Sequence, residues 1–374
     1  MIPVNQPLLN GREKELLNEC IESGWISSDG PFVTEFERKF AAYIGCKQGI
    51  AVCNGTAALE TAIYAAGIGK GDEIIMPSFT IISCAIAAIR LGAVPVLVDA
   101  EPETWNMDVN QIEKRITSRT RAIMPVHIYG HPVDMDPVIE VAKKHNLMVI
   151  EDAAEVHGAE YKGRKCGSMG DVSAWSFYAN KNITTGEGGM VLTSDSRIAE
   201  RAVSYRNLCF QPERRFYHTE LGYNFRLTNL QAAVGVAQLE RIEEFIAIKR
   251  RLGEYYRRKL SAIPGIKCQI EKSWAKTVYW MYCIELDQSL DLDANALMIE
   301  LGKRGIGTRP FFLGLHEQPV MHDLGLFKGE HYPVTERIAR QGLYLPSGLT
   351  LTEGLIDQVV DNVRDIIENR SLIS

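Results

Sequence analysis

Short apolar runs alternate with helix-like stretches between residues 48 and 195. Each run is apolar at almost every position, which is typical of strands buried on both faces of a sheet. The runs are GIAVC (49–53), DEIIMP (72–77), VPVLVD (94–99), RAIMPVHIY (121–129), LMVIED (147–152), DVSAWSF (171–177) and GGMVLTSD (188–195). The intervening TAALETAIYAAG (56–67), IISCAIAAIRLG (81–92) and DPVIEVAKKHN (136–146) have helical spacing. This alternation predicts an α/β fold with a mainly parallel sheet covered on both faces.

The pattern changes in the last third of the chain. Residues 226–260 have a helical period, interrupted at Gly235, and are long enough to connect two domains. The stretches that follow are strand-like at TVYWMYCIEL (277–286) and IGTRPFF (306–312) and helix-like at ANALMIELGKRG (294–305) and LIDQVVDNVRDIIENR (355–370). We therefore predict a large domain at 1–245 and a smaller C-terminal α+β domain at 246–374.

Charge and composition narrow the class of protein. The 374 residues carry a formal net charge of −6, which argues against a general nucleic-acid or anionic-membrane surface. No apolar segment is long enough to span a bilayer and the first residues lack a signal-peptide apolar region, so we expect a cytoplasmic protein. The eight cysteines form no CxxC pair and have no zinc-ligand spacing. We expect reduced, buried thiols and no protein-bound metal.

The run SFYANKNITTGEGGM (176–190) places Lys181 just before a Gly-rich stretch. A Walker loop requires the lysine after the last glycine, so this run does not fit a nucleotide-phosphate loop. No GxGxxG follows an early strand either, which disfavours a nicotinamide oxidoreductase. A lone lysine is usually a solvated surface charge. The apolar and Gly-rich surroundings of Lys181 instead favour an amine with a lowered pKa that acts as a nucleophile.

Two other features complete a set with Lys181. In CNGTAAL (53–59) a strand ends and Gly55 and Thr56 begin a helix, where backbone N–H groups and the helix dipole favour a phosphate. Asp152 ends an apolar run, at the sheet edge where α/β proteins bind ligands. An ordinary helix N-cap is the alternative for each feature alone. Together, a phosphate site, a carboxylate for a ring nitrogen and a reactive lysine predict pyridoxal phosphate chemistry.

Nearly the whole chain resembles the DegT/DnrJ/EryC1/StrS sugar aminotransferases, which have the aspartate-aminotransferase-like (type I) fold. The resemblance rests on many blocks in the same order. They are SGWISSDGPFVTEFE (23–37), NGTAAL, PSFT, VPVLVDAEPETWNMD, VHIYGHPVDMD, IEDAAEVHGA, SFYANKNITTGEGGM, LGYNFRLTNLQAAVG and GTRPFFLGLHEQP.

The resemblance implies pyridoxal 5'-phosphate as cofactor and Lys181 as the amine that bonds to its aldehyde and transfers protons. Asp152 would pair with the ring nitrogen. Glu155 would lie near the ring 3-hydroxyl, where many members have Gln, and its protonation state is left open because an ionised carboxylate would repel a phenolate. Ile81 stands where many members place an aromatic ring against the cofactor. The other positions implied to hold the cofactor are Gly55, Thr56, Ala57, Ser176 and, from the partner subunit, Asn224.

Family members with His in place of the lysine are dehydratases, so Lys181 favours transamination. The phrases GWISSDGPF, DAAEVHGA and NKNITTGEGG are most similar to enzymes that aminate C4 of GDP-4-keto-6-deoxy-mannose. The resemblance therefore implies a homodimer with shared active sites that moves an amino group from glutamate to this nucleotide sugar and releases 2-oxoglutarate. Amination of a UDP- or dTDP-linked keto sugar at C4 or C3 is the alternative.

Substrate contacts are also implied by the resemblance rather than by the residues alone. The positions in blocks that line the sugar-nucleotide site are Trp25, Ser27, Arg226, Arg309 and His316. For Trp25 and His316, packing or a local hydrogen bond is an equal alternative. A catalytically silent regulator that binds pyridoxal phosphate is a rival class, but it would need a DNA-binding appendage or a lost lysine.

Overall fold

The computed structural model describes residues 1–211, 213–214 and 216–369. Its helices are α1 (Glu13–Ser23), α2 (Pro31–Ile44), α3 (Gly55–Ala65), α4 (Ser83–Arg90), α5 (Met135–His145), α6 (Ser196–Arg206), α7 (Asn229–Leu239), α8 (Ile242–Leu260), α9 (Ala294–Lys303), α10 (Pro319–Asp323), α11 (Pro333–Gln341) and α12 (Glu353–Glu368). Arg370, the last residue of the predicted C-terminal helix, lies outside the described residues.

The strands form three sheets. They are β1 (Gln48–Val52), β2 (Glu73–Pro77), β3 (Val94–Val98), β4 (Thr120–Ile123), β5 (Met148–Asp152), β6 (Glu160–Tyr161), β7 (Arg164–Lys165), β8 (Val172–Ser176), β9 (Gly189–Thr193), β10 (Ile266–Cys268), β11 (Ala275–Lys276), β12 (Tyr282–Leu286), β13 (Arg309–Pro310) and β14 (Gly342–Leu345). The sheet orders are β1-β9-β8-β5-β4-β2-β3, β10-β12-β14-β13 and β11-β6-β7.

The seven-stranded sheet is mainly parallel, as predicted. β2 pairs in parallel with β3 and β4, β4 with β5, and β5 with β8. β9 is the exception, because it runs antiparallel to both β8 and β1. Parallel neighbours need a long crossover, usually a helix, whereas β8 and β9 are joined directly by the loop 177–188 that contains Lys181. This loop therefore stays at the carboxyl edge of the parallel strands.

Both faces of this sheet are covered by helices. Neighbouring residues of a strand point to opposite faces, so Ala174 of β8 lies in one core cluster with Ala58 and Ala62 of α3, while the Trp175 ring packs edge-on against Phe40 of α2. All of these residues are buried. The helices α1 and α2 precede the region whose pattern predicted strands and helices. The apolar spacing of α2, which begins with Pro31, is nevertheless that of an amphipathic helix.

The predicted interruption at Gly235 is wrong. Gly235 lies inside α7, and the break between α7 and α8 falls at residues 240–241, where Arg241 leaves helical geometry with φ −115° and ψ 11°. A side chain at Gly235 would place its Cβ 2.8 Å from ring atoms of Phe36 and from Thr185. The glycine therefore permits close packing of α7 against α2 and does not end a helix.

The four-stranded antiparallel sheet lies in the chain after α8. Its core joins Leu252 and Tyr256 of α8 with Ile284 of β12 and Val359 of α12. The division of the chain at residue 245 stays a prediction, and that residue lies within the continuous helix α8. Within the described residues, no helix combines the length and the apolar character that a bilayer crossing requires.

Candidate active site

A cavity of about 590 Å³ opens at the carboxyl edge of the parallel strands. The start of α3, the end of β5, the end of β8 and the Lys181 loop meet there, which is where open α/β sheets bind ligands. Aromatic side chains from the later part of the chain form its opposite side. The lining includes Gly55, Thr56, Ala57, Thr80, Ile81, Asp152, Glu155, Ser176, Tyr178, Asn180, Lys181, Phe225, Trp280, Phe312 and Tyr344.

Gly55, Thr56 and Ser176 form one end of the cavity, which we call the anion seat. The side chain of Asn54 caps α3 by accepting a hydrogen bond from the Ala57 N–H at 2.8 Å. The first intrahelical bond runs from Ala58 N–H to the Asn54 carbonyl, so the Gly55 and Thr56 N–H groups precede it and are available to an anion. A Cβ on Gly55 would lie 2.8 Å from the Ser176 Cβ. Glycine is therefore required for this close approach.

The Gly-rich stretch after Lys181 has a packing role. A Cβ on Gly189, the first residue of β9, would lie 2.3 Å from the Asn54 carbonyl oxygen. Gly186 has φ +82°, a conformation that strongly favours glycine. Gly189 lets β9 pack directly against the turn that precedes α3, and this contact fixes the position of the anion seat. As predicted, the glycines do not form a Walker loop.

Asp152 lies at the end of β5 with its carboxylate held on both oxygens. Its Oδ1 accepts a hydrogen bond from the Ala154 N–H at 3.1 Å, and its Oδ2 accepts one from the Cys84 thiol at 3.1 Å. Both side chains are buried. Burial and the nearby Asp152 charge raise the pKa of the Cys84 thiol well above its usual value, so the thiol keeps its proton and donates it. The Asp152 carboxylate is thus fixed in orientation at the cavity wall.

Lys181, Glu155 and Trp280 form another part of the cavity, which we call the lysine wall. The Lys181 Nζ lies 3.9 Å from Glu155 Oε1 and 3.7 Å from the centre of the Trp280 ring. Burial lowers the pKa of the Lys181 amine, while the charges of Glu155 and Asp152 oppose that shift. Burial raises the pKa of Glu155 to about 7, against the effect of the Lys181 charge. Burial thus disfavours the charged form of both groups, while each charge stabilises the other.

A strained turn holds the other oxygen of Glu155. Glu155 Oε2 accepts a hydrogen bond from the Tyr129 N–H at 2.7 Å. Tyr129 has φ 52° and Gly130 has φ 96°, and a Cβ on Gly130 would lie 2.7 Å from the Trp280 backbone nitrogen. A left-handed Tyr is uncommon and is maintained here by complete burial of its side chain. The turn therefore leaves Oε1 of Glu155 directed at Lys181.

Trp280 was not predicted as a site residue, because its segment was interpreted as strand 277–286. The strand β12 begins only at Tyr282, and Tyr279 has φ 44°, which turns the chain out of the sheet. The indole N–H of Trp280 donates to the Asn180 carbonyl at 2.8 Å, next to Lys181. A periodic apolar pattern carries no signal of such a turn. The adjacent aromatic residues Tyr279 and Trp280 were the one local indication that this segment could contribute to a binding site.

Eight of the predicted cofactor-binding residues lie together around the cavity: Gly55, Thr56, Ala57, Ile81, Asp152, Glu155, Ser176 and Lys181. Ile81 is 44 % exposed, so its side chain presents apolar surface to the opening. Asn224 is not among the residues that line the cavity of this chain. It is exposed, and its backbone forms an isolated antiparallel β-bridge with Asn207. Its predicted contact with the cofactor of a partner subunit stays a prediction.

None of the five predicted substrate-binding residues is among the residues that line the cavity. Trp25 is 52 % exposed, and its carbonyl accepts a hydrogen bond from the Asn229 side chain at 2.7 Å. Ser27 is exposed, and its carbonyl accepts one from the Asn229 N–H at 2.8 Å. Arg226 borders a separate cavity of about 1000 Å³. Their substrate roles stay predictions.

The remaining two predicted substrate residues come from the C-terminal part of the chain. Arg309 is exposed on β13, and its guanidinium donates to the Thr308 carbonyl at 2.9 Å. His316 is buried, lies edge-on to the Tyr332 ring and has its Nε2 3.2 Å from Glu336. These contacts match the packing alternative for His316.

Comparison with known proteins gives the same picture as the geometry. Residues 7–364 match the model of the DegT/DnrJ/EryC1/StrS aminotransferase family. The chain is 44 % identical to a GDP-perosamine synthase of Caulobacter vibrioides, with 96 % of each chain covered, and 40 % identical to one of Escherichia coli O157:H7, with 99 % of each covered. The solved structure of the aminotransferase TlmJ from Streptoalloteichus hindustanus superimposes with a TM-score of 0.91 at 30 % identity, covering 99 % of this chain and 100 % of that one.

These matches confirm the fold and the class of enzyme that the motifs predicted. The aspartate-aminotransferase-like fold extends over nearly the whole chain, and the relatives cover the segments that supply the anion seat, Asp152 and the lysine wall. The chain therefore belongs to the DegT/DnrJ/EryC1/StrS aminotransferase family.

Proposed function

We propose that this enzyme transfers an amino group from glutamate to the C4 ketone of GDP-4-keto-6-deoxy-mannose and forms GDP-perosamine. The proposal is carried by the similarity, over 96–99 % of the chain, to relatives named GDP-perosamine synthase. The lysine wall supports the type of reaction, because a buried amine with a lowered pKa is the group that a transaminase requires. The division into a cofactor-binding domain at 1–245 and a small domain at 246–374 is part of the same proposal.

Pyridoxal 5'-phosphate is the cofactor of this aminotransferase family, and the residues of the cavity suit its phosphate, ring nitrogen, 3-oxygen and aldehyde. The anion seat offers the N–H groups of Gly55 and Thr56 and the Ser176 hydroxyl to the phosphate, while the Thr56 hydroxyl donates to Ser83 Oγ at 3.0 Å. Asp152, with both oxygens fixed, presents a buried carboxylate to the protonated ring nitrogen. Glu155, whose Oε2 is held by the Tyr129 N–H, would meet the ring 3-oxygen through its Oε1. Lys181 supplies the amine for the aldehyde.

Bound pyridoxal phosphate supplies an aldehyde that accepts the amino group and a protonated ring that withdraws electrons. The residues of this chain supply the remaining steps. Lys181 Nζ takes the proton from the α-carbon of glutamate in the first half-reaction and returns a proton to C4 of the sugar in the second. One base serves both halves because the same amine is close to the reacting carbon each time.

Asp152 and Glu155 act on two different parts of the cofactor near this base. The Asp152 carboxylate keeps the proton on the ring nitrogen, and its burial excludes the water that would compete for that proton. Glu155 has its pKa raised to about 7 by burial, so its carboxyl keeps a proton in mildly acidic to neutral solution. In its protonated form Glu155 would donate a hydrogen bond to the ring 3-oxygen, and the repulsion expected for an ionised carboxylate would not arise.

The proposed assembly is a homodimer in which Asn224 of the partner subunit completes the cofactor site. Support comes from the exposed segment around it: Leu221 is 90 % exposed and Tyr223 is 50 % exposed. Apolar side chains that lie together on a surface are typical of an interface. Sedimentation of the purified protein should give a dimer, and Asn224→Ala should weaken cofactor binding without unfolding the chain. A monomer with full activity would contradict this assembly.

The substrate is tested with a panel of 4-keto sugars linked to GDP, UDP and dTDP, each with glutamate as amino donor. We expect turnover with the GDP-linked sugar and a product whose NMR spectrum shows nitrogen at C4. Formation of 2-oxoglutarate in equal amount identifies the donor. Preference for a UDP- or dTDP-linked sugar, or amination at C3, would replace the proposed substrate and leave the aminotransferase class unchanged.

A further inference from the structure

The Lys181 amine rests on an aromatic face. Its Nζ lies 3.7 Å from the centre of the Trp280 ring, which is closer than its 3.9 Å separation from Glu155 Oε1. The Trp280 side chain is 4 % exposed, so water has little access to the contact. A cation over the face of a desolvated Trp ring is attracted by the negative face of the ring. The ring thus stabilises the protonated form of an amine that burial otherwise disfavours.

Two hydrogen bonds hold Trp280 in this position, one to its ring and one to its backbone. The indole N–H donates to the Asn180 carbonyl at 2.8 Å, so the edge of the ring is occupied and its face is presented to Lys181. The backbone carbonyl of Trp280 accepts a hydrogen bond from the buried amine of Lys249 at 2.7 Å. Lys249 also donates to the Ser347 carbonyl, which joins the turn before β12 to the segment after β14.

We propose that Trp280 is a catalytic residue whose ring face holds the Lys181 ammonium while this amine carries the transferred proton. The inference rests on the proposed role of Lys181 as the base of both half-reactions. During each half-reaction the amine gains a charge in a buried site, where an unpaired ammonium is costly. The ring stabilises that charge without offering an acceptor atom that would remove the proton. A carboxylate in contact at the same place would compete for it.

The groups that titrate around this amine come from several elements. Asp152 lies at the end of β5, and Glu155 and His157 follow in the next turn. Tyr344 of β14 and Cys283 of β12 face Glu155 from the other side, and burial raises the pKa of both. Variants of Trp280 leave all of these groups in place. A change in the titration midpoint of Lys181 when Trp280 is replaced therefore measures the effect of the Trp280 ring.

The test measures the protonation of Lys181 in the cofactor-free protein. Competitive acetylation across a pH series, with the Lys181 peptide quantified by mass spectrometry, gives the midpoint of its titration. In Trp280→Leu the ring face is lost while apolar cover is kept, so we expect the midpoint to fall by about one pH unit. Trp280→Phe keeps an aromatic face that attracts a cation more weakly, so the midpoint in this variant should fall by less. The control Phe312→Leu changes another aromatic residue of the cavity and should leave the midpoint unchanged.

The direction of the shift separates the two possible roles of the ring. If Trp280 only excludes water, its replacement by a smaller residue admits water and the midpoint rises. A rise, or an unchanged midpoint in Trp280→Leu, overturns the proposal. Circular dichroism confirms that each variant is folded, and Trp280→Phe provides the answer if the leucine variant is not. The measurement uses no substrate, so its outcome is independent of the keto-sugar assay that tests the proposed function.

Discussion

The anion seat takes its groups from the start of a helix and the end of a strand that pack together, whereas the lysine wall is built from a loop and two turns. Gly55 and Thr56 begin α3, and Ser176 ends β8, which packs beside it. In the lysine wall, by contrast, Lys181, Glu155 and Trp280 all lie outside helices and strands. The seat uses backbone N–H groups and a hydroxyl. The wall uses buried ionisable groups whose pKa values depend on one another.

Because of this difference, substitutions in the two regions should have different effects. The seat depends on shape, because its donors are fixed as soon as α3 and β8 pack together. The wall depends on charge, because burial and a few contacts set the proton affinity of each group. Changes to the wall should therefore alter chemistry and pH dependence, and changes to the seat should alter cofactor affinity. Three variants test this distinction.

Lys181→Ala should have the largest effect, because it removes the group that moves the proton. We expect turnover to fall by about 10²–10⁴-fold. Borohydride treatment of the wild type with pyridoxal phosphate should add the cofactor mass to the Lys181 peptide, and the variant should gain no such adduct. Added methylamine should restore part of the rate. The exposed Lys70→Ala is the matched control and should keep wild-type turnover. Full activity of Lys181→Ala would show that the wall is not the reacting centre.

Glu155→Gln tests whether the wall is governed by charge. In the folded chain Glu155 keeps its proton up to about pH 7, whereas the unfolded carboxyl titrates near its ordinary value of 4.5. Between these values the folded chain binds more protons, so the free energy of unfolding falls as pH rises. The variant does not titrate there. The wild type should therefore lose roughly 3 kcal/mol relative to Glu155→Gln across this window.

Urea unfolding of the cofactor-free proteins at a series of pH values measures this difference. Glutamine keeps the acceptor for the Tyr129 N–H, so packing is matched. Lys181→Met provides a second control: the Lys181 charge holds the pKa of Glu155 down, so its removal should extend the window to higher pH. Parallel stability curves for wild type and Glu155→Gln would contradict a raised pKa of Glu155.

The sequence predicts the seat well because its signals are local. A strand followed by Asn54, Gly55 and Thr56 predicts a capped helix at a sheet edge, and Asp152 at the end of an apolar run belongs to the same edge. The structure places both at the cavity. The strand pattern likewise predicted the mainly parallel sheet, although the reversed direction of β9 depends on the loop that precedes it and not on its own residues.

The wall could be predicted only in part. Lys181 was visible from its apolar and Gly-rich surroundings, but Trp280 was not, because its approach depends on the left-handed Tyr279 and on the buried Lys249. Both are tertiary effects that periodicity does not encode. Gly235 shows the same limit in the fold, since a glycine that permits close packing was interpreted as an interruption of a helix. The substrate roles of Trp25 and Arg309 come from the family resemblance alone, because neither residue lines the cavity of this chain.

Gly55→Ala should have the smallest effect and should act on shape alone. Its Cβ would lie 2.8 Å from the Ser176 Cβ, and overpacking of this kind costs about 1–3 kcal/mol. We expect cofactor binding to weaken about tenfold, measured by fluorescence titration, with the pH dependence of the loaded enzyme unchanged. Gly354→Ala is the matched control, because this glycine also lies in the first turn of a helix and a Cβ there meets nothing within 4 Å.

The double variant Gly55→Ala with Ser176→Gly decides whether the effect comes from the clash. Removing the Ser176 side chain leaves only its Cα, 3.4 Å from the new methyl group, which is an ordinary contact. If shape governs the seat, the second substitution costs less in the presence of the first than it does alone, and the two effects are not additive. Additive losses would mean that the Ser176 hydroxyl contributes in the same way with or without the methyl group. The seat would then depend on its individual donors, and the contrast with the lysine wall would be weaker than the geometry indicates.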